Sequence, residues 1–318
     1  MKPATDQLPA DEQASDPDYW RLAREPLASL CFLLPLLITY ELGVAWVGDQ
    51  QGQIVRNGAD CWMRSALVQL GMDHPLLLPG LVVSVLIIWH VCGKYRWRIS
   101  TGTLLGMFAE SLLYAFLLLF VGRLQGVAFD RLEPVNRPAI EQQRSDGLHE
   151  RFENRFSNRS RADSHLSIPF ARNPPSTNMD ARLESDAGSP PESAEEFHRA
   201  SRGNNVEPGV RAIMFLGAGF YEEVLFRLCL LPACFGFFRL VRLRKGWASV
   251  LAVLSSSLIF SFAHYVGGDT YGFTLYGFTF RALAGMIFAG LFVLRGFGIT
   301  VGCHAAYDLL VGLALRTA

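Results

Sequence analysis

The chain reads as an all-α polytopic membrane helix bundle, with about seven transmembrane helices and one long disordered insertion. Three observations predict it. Apolar runs recur along the chain, each near the ~20 residues that a helix needs to cross a bilayer core. Half of the 318 residues are hydrophobic, and mean hydropathy is +0.22 despite a long polar block near the middle, so the remainder is too apolar for a soluble fold. No barrel-type period-2 alternation occurs, which leaves the helix as the spanning element.

Residues 1–25 form a polar tail. Its six acidic side chains, and the length of the apolar run that follows, argue against a cleaved signal peptide. Leu27–Val47 is the first span; as a helix it rises roughly 30 Å. A polar stretch follows, in which Asp60–Leu70 suits a short helix on the surface. Leu76–Cys92 is a second span and Thr103–Val121 a third. From about Asp130 to Pro208 the chain is rich in Arg, Glu, Ser, Asn and Pro, with too little apolar surface to offset the entropy of ordering it. Gly209–Leu231 is the fourth span, expected to end at Pro232 because proline lacks a donor and its ring clashes with the preceding turn. Trp247–Val266, Tyr276–Leu294 and Gly298–Leu315 complete the set.

Charge gives orientation and excludes one class of partner. Lys+Arg and Asp+Glu balance at 29 each, and no basic stripe stands out, which argues against nucleic acid. Basic residues cluster before span one (Arg21, Arg24), between spans two and three (Lys94, Arg96, Arg98), between four and five (Arg239, Arg242, Arg244, Lys245) and between six and seven (Arg295). In a seven-span arrangement all four clusters fall on one side. The positive-inside rule then makes the amino terminus cytoplasmic and the carboxyl terminus external. Of six cysteines, five fall in or at the ends of apolar runs and no CxxC occurs, so no disulfide framework is expected.

Chemistry concentrates in the last third. The fourth span contains Glu222, Glu223 and Arg227, and each ionised group near the bilayer centre costs about 3 kcal/mol on insertion scales. Glu223 and Arg227 are one turn apart, with the acid on the N-terminal side as an ion pair prefers. Glu222 is turned away by about 100°, which leaves it to face a cavity as a general base or acid. Phe260 and His264 lie one turn apart on the fifth span, His304 and Asp308 one turn apart on the seventh. Asp308 is placed to orient His304 or to share a ligand with it. Three helices thus each offer polar groups to a common interior, as bundles do when they build hydrolytic or metal sites. Other charged or nucleophilic groups have simpler readings: Glu41, Arg281 and His90 as interface residues, and Glu110 as a mid-span acid without an obvious partner. No HExxH occurs in an apolar run, and Ser255–Ser257 lacks a glycine-flanked nucleophile.

Glu222-Glu223-x-x-x-Arg227, Phe260-x-x-x-His264 and His304-x-x-x-Asp308, in this order on separate spans, resemble the CPBP family of intramembrane metalloproteases. This family comprises the type II CAAX prenyl proteases and the bacteriocin-processing, Abi-like proteins. Composition divides the chain into a polar tail over residues 1–25, three N-terminal spans over 26–122 and the insertion over 123–208; the resemblance covers roughly Gly209–Leu315 and implies a CPBP-like catalytic domain over 209–318. It implies an intramembrane endopeptidase that hydrolyses a peptide bond of a membrane-associated peptide or protein with a Glu/His-activated water. Glu222, His264, His304 and Asp308 are the implied catalytic residues; Glu223, Arg227 and Phe260 support them. A divalent metal such as zinc, on His264, His304 and Glu222, and metal-free activation of water are both compatible with these residue types. The lipid bilayer is the expected surroundings and a bacterial inner (plasma) membrane the expected location. Two other classes of function remain open: a non-enzymatic immunity or partner-binding protein of the same fold, and a proton-coupled carrier. A carrier usually shows related halves with broken helices at matching positions, and these halves do not resemble each other.

Residues 131–208 contain none of the motif residues. Replacing them by a short linker is therefore expected to preserve membrane insertion and activity. A variant that inserts but no longer processes a substrate cleaved by the full chain would show that the block takes part in function.

Overall fold

The computed structural model describes residues 19–47, 55–132, 207–266 and 273–314. Among the described residues every regular element is helical: α1 (Tyr19–Leu22), α2 (Pro26–Val47), α3 (Gly58–Gln69), α4 (Leu77–Cys92), α5 (Thr101–Leu132), α6 (Pro208–Glu223), α7 (Leu231–Leu240), α8 (Lys245–Ala263), α9 (Leu275–Arg295) and α10 (Phe297–Leu309). Two π-helical segments interrupt the pattern, Val224–Leu230 between α6 and α7, and Leu310–Ala314 after α10. By length and composition α2, α5, α8 and α9 can cross a membrane, while α4 and the α10 region are shorter apolar helices. The chain divides into two units, residues 1–122 with 191–318, and residues 123–190. Every contact below lies in the first.

Most spans sit close to their expected places, with two differences. The first is α5, which runs past Val121 to Leu132: residues 123–132, expected to belong to the insertion, are helical. Apolar side chains at Leu124, Val127, Phe129 and Leu132 carry the pattern beyond the polar boundary. The remainder of the expected insertion, residues 133–206, lies outside the described residues. The second is Pro232, which does not end its span. The π-helical turns before it shift the register, shown by the Leu231 N–H donating to the Phe226 carbonyl. Pro232 then falls in the first turn of α7, where its missing donor costs little.

The core explains which face of each span turns inward. Leu33, Leu37, Tyr40 and Val44 of α2 pack with Met214, Phe220 and Tyr221 of α6, Leu78, Val82 and Leu86 of α4, and Phe297 and Val301 of α10. A second cluster joins Ala115 and Leu118 of α5 to Phe288 and Leu291 of α9 and Cys303 of α10. Large apolar residues on the opposite faces, such as Leu34, Ile38, Leu42, Phe108, Phe116, Phe120, Leu258 and Phe262, are exposed. An apolar outer surface of this extent fits lipid as the solvent.

Helix α3 does more than lie on the surface. Asn57 caps it by accepting the Asp60 N–H at 2.8 Å, and its first turn is buried: Asp60 is 0% exposed. Asp60 accepts from the Tyr40 hydroxyl at 2.8 Å, from Arg56 at 2.7 Å and from Arg64 at 2.6 Å. Arg64 also bonds Glu41 at 2.9 Å, and Glu41 accepts from the Tyr221 hydroxyl. Glu41 is therefore a partner in a charge network, because α3 folds back and brings two arginines to it. His90 is packed inside the protein rather than exposed on its outer face. It is 1% exposed, with Tyr95 stacked on it and Trp97 edge-on.

Glu110 has a partner after all. Arg295, at the end of α9, donates to both its carboxylate oxygens at 2.8 and 2.9 Å, and the Trp20 ring lies 4.0 Å from the guanidinium. This bidentate geometry ties α5, α9 and the N-terminal segment together at the end carrying the basic loops. Glu110→Gln leaves a largely buried cation uncompensated and is expected to cost about 3 kcal/mol, the low end for a buried pair. A melting temperature in detergent equal to that of the unmodified protein would contradict it.

Candidate active site

The site is built on a close approach between two helices. A Cβ on Gly219 would stand 2.6 Å from the backbone N and Cα of Ala305, so only glycine lets α6 and α10 meet there. One turn after Gly219 comes Glu223; the residue before Ala305 is His304. The contact sets these two side chains against each other, with His304 Nδ1 at 2.7 Å from Glu223 Oε1. The other oxygen of Glu223 pairs with Arg227 Nε at 3.0 Å. Both Glu223 and Arg227 are sealed from the surface, at 0% and 1% exposure.

Arg227 lies within the π-helical segment, a form that often marks functional positions in helices. Its Nη2 donates to the Gly285 carbonyl at 3.3 Å. Gly285 is again a crossing point: an added Cβ would stand 3.1 Å from Ser257 of α8, closer than ordinary van der Waals contact. The faces of Phe260 and Phe288 lie 4.4 and 5.4 Å from the guanidinium and take up its charge by cation–π attraction. Phe260 also meets the ring of His264 edge-on at 4.8 Å, and Phe288 stacks on His304 at 4.5 Å. Two aromatic rings therefore separate the buried cation from the two histidines and hold both imidazoles in place.

Around this scaffold the expected site residues converge. The Nε2 atoms of His264 and His304 stand 3.7 and 3.8 Å from the same oxygen of Glu222. Asp308 lies one turn beyond His304, with its Oδ2 at 3.5 Å from Nε2. His264 Nδ1 is 2.8 Å from the Phe260 carbonyl; since a carbonyl only accepts, that nitrogen carries the proton and neutral His264 presents an unprotonated Nε2 to Glu222. His304 donates Nδ1–H to Glu223, which fixes its ring in the same way. Glu222, His264 and Asp308 keep side-chain exposures of 16, 23 and 21%, whereas Glu223 has none. Of the adjacent glutamates, Glu222 stays partly exposed and Glu223 is fully buried in the pair with Arg227, in keeping with their offset of about 100° around the helix.

Two features are not apparent in the sequence. Glu223 orients His304 as well as pairing with Arg227, because α10 crosses α6 at that height. Phe288 forms one wall of the site although it belongs to no motif; its only signal is a place on the inward face of α9, one turn from Ala284 and Gly285. Arg281, expected at the interface, is half-buried, with its guanidinium 5.2 Å from the centre of the Tyr265 ring. Among the described residues no group of three or more His, Cys, Asp or Glu side chains is arranged to hold a metal ion, and we derive no step through one.

The Glu223–Arg227 pair sits in a low-dielectric interior, and removing one partner of such a pair typically costs ~3–5 kcal/mol. Glu223→Gln should lower the melting temperature markedly, and Glu223→Met with Arg227→Met should recover part of the loss. A double variant less stable than Glu223→Gln would refute this account.

Residues 207–310 match the family model described as Rce1-like, type II CAAX prenyl endopeptidase Rce1-like. No curated protein and no solved structure matches the chain. The matched segment begins at the first turn of α6 and includes every residue of the three motifs. Over its last third the chain thus matches a Rce1-like type II CAAX prenyl endopeptidase domain, in agreement with the resemblance in its motifs.

Proposed function

We propose that this membrane protein is an intramembrane endopeptidase that cleaves a membrane-associated peptide or protein with a water activated by Glu222 and His264. One observation carries the reading: His264 and His304, from two further helices, each bring an imidazole nitrogen within 4 Å of one carboxylate oxygen of Glu222. A water held between Glu222 and the unprotonated Nε2 of His264 meets two acceptors and is polarised by both. Glu222 takes its proton as hydroxide adds to the peptide carbonyl carbon, then delivers that proton to the leaving amine as the C–N bond breaks. His304 Nε2 faces the place where charge develops on the carbonyl oxygen, held there by Glu223 and Phe288. A donor fixed in advance in a site of low dielectric is worth more than one that must reorganise. Asp308, as a carboxylate, does not donate to an oxyanion; beside Nε2 it favours the protonated imidazole that does.

The site lies away from the basic loops. His264 follows α8 at the end remote from Lys245, and Arg281 is two turns into α9, whose other end is Arg295. In the orientation set by the positive-inside rule, the site belongs to the non-cytoplasmic half of a bacterial inner membrane. A substrate would enter from that side or from the lipid.

Glu222→Gln is expected to reduce cleavage by at least 10²-fold, because an amide accepts no proton, while changing the melting temperature little. The measurement is accumulation of an uncleaved precursor in membranes of a Glu222→Gln strain, followed by cleavage of that precursor with purified protein, with and without EDTA. Unchanged turnover in Glu222→Gln would remove the general base. Loss of turnover with EDTA and its recovery with zinc would make the reaction metal-dependent.

A further inference from the structure

Toward the end that carries the basic loops, α7, α8 and α9 do not fill the space between them. They leave a groove of about 520 Å³ between Leu231 and Phe235 of α7, Ser249 and Val253 of α8, and Ala289 and Gly290 of α9. Side-chain size is the cause. The buried floor is Ala252 and Ala289 with Leu231, and a Cβ added at Gly290 would meet nothing within 4 Å. Val250, Leu254 and Val293, which also line the groove, are exposed on the outer surface, so it opens toward lipid. It is separate from the site described above. No motif residue lines it, and Ser249 lies roughly 20 Å along α8 from His264 by helical rise.

The walls and the basic end together decide what this groove can hold. Ser249 is the one lining residue with a polar side chain, and its hydroxyl donates to the Lys245 carbonyl at 3.0 Å. Such walls offer a water no set of hydrogen-bond partners. A hydrocarbon chain, by contrast, gains dispersion contacts with three helices instead of one. One end of the groove is strongly basic. Arg239 lies one turn beyond Phe235 on α7, and Lys245 one turn before Ser249 on α8. Each cation therefore shares a face with a lining residue and sits about 5 Å further toward the loop. Arg242 and Arg244 follow in that loop, and no acidic residue occurs between Glu223 and Asp269. All four basic side chains are exposed, and among the described residues none is in an ion pair. Arg239 donates to the Leu243 carbonyl at 2.7 Å, which pins its guanidinium at the loop. An apolar trough that ends in cations without counter-charges matches an amphiphile with a negative head. Basic clusters at the ends of membrane helices recognise anionic lipid headgroups in this way.

We propose that the groove binds one anionic glycerophospholipid, with an acyl chain between α7, α8 and α9 and the phosphate on Arg239 and Lys245. This inference does not depend on the peptidase reading and is tested by binding alone. The purified protein is stripped of lipid in detergent and titrated with phosphatidylglycerol or phosphatidylcholine carrying the same palmitoyl and oleoyl chains. Bound lipid is counted by native mass spectrometry. Phosphatidylglycerol should bind at least about tenfold more tightly than phosphatidylcholine, as two cations near one headgroup provide. Arg239→Gln with Lys245→Gln should bring that ratio close to one. Arg96→Gln with Arg98→Gln, the same charge change in another basic loop, should leave it unaltered. Gly290→Phe fills the groove and should weaken the binding of both lipids several-fold. Ser249→Phe narrows it from α8 and provides the same reading if Gly290→Phe lowers the melting temperature. Equal binding of the two lipids, absence of binding by either, or a preference that Arg96→Gln with Arg98→Gln also abolishes overturns the proposal. So does full lipid affinity in both groove variants, since the cations would then attract lipid without the groove. A dimer that forms without lipid and is lost in Gly290→Phe would assign the groove to a second copy of the chain, and would overturn it too.

Discussion

A carboxylate between membrane helices stays charged only if a cation and hydrogen-bond donors are brought to it, and Glu223 shows how much structure that demands. It needs Arg227 one turn away, an imidazole N–H from α10, and a crossing close enough for both to reach. Arg227 in turn needs the Gly285 carbonyl and the faces of Phe260 and Phe288. Each requirement draws in another helix, so that α6, α8, α9 and α10 are fastened around a single buried ion pair. Ion pairs of this kind add little net stability compared with an apolar filling. What this one supplies is position: with Glu223 held, His304 is held, and Glu222 on the neighbouring turn is left free to face water.

The same logic operates away from the site. The Glu41–Arg56–Asp60–Arg64 network fixes α3 to α2 and reaches α6 through the Tyr221 hydroxyl, the residue immediately before Glu222. Glu110 and Arg295 fix the opposite end. Between these two ionic fastenings the packing is apolar and the outward faces are given over to lipid. The rotation of α6 about its own axis is thus set twice, by Tyr221 on one side and Glu223 on the other. Glu222 inherits its direction from both.

Much of this was legible in the chain. Apolar run lengths place most spans to within a few residues, because a bilayer sets a common minimum length for crossing it, whereas α5 runs on to Leu132 and the fourth span past Pro232. The one-turn spacings of Glu223 with Arg227, Phe260 with His264 and His304 with Asp308 placed the site residues on shared faces. The depth at which separate helices meet was not legible, because it depends on which glycines let backbones touch. Hence the spacing pairs Glu223 with Arg227 alone, and nothing in the chain links Glu110 to Arg295. Pro232 misled for a similar reason. Its penalty is computed against a regular α-helix, and the helix before it is not regular.

That irregularity has its own consequence. A π-helical turn holds one more residue than the α-helical turn it replaces, so Val224–Leu230 acts as a phase shifter in the middle of a long rod. Upstream of it the rod presents Glu222 to the two histidines; downstream, Leu231 and Phe235 pack against α8 and α9. A chain shorter by one residue in this stretch would close as ordinary helix, and everything beyond would turn by about 100°, the width of a helix face. Lineages that share the motif spacing can therefore differ in what the rest of the rod shows to lipid and to its neighbours, with a single insertion or deletion as the only trace in the sequence.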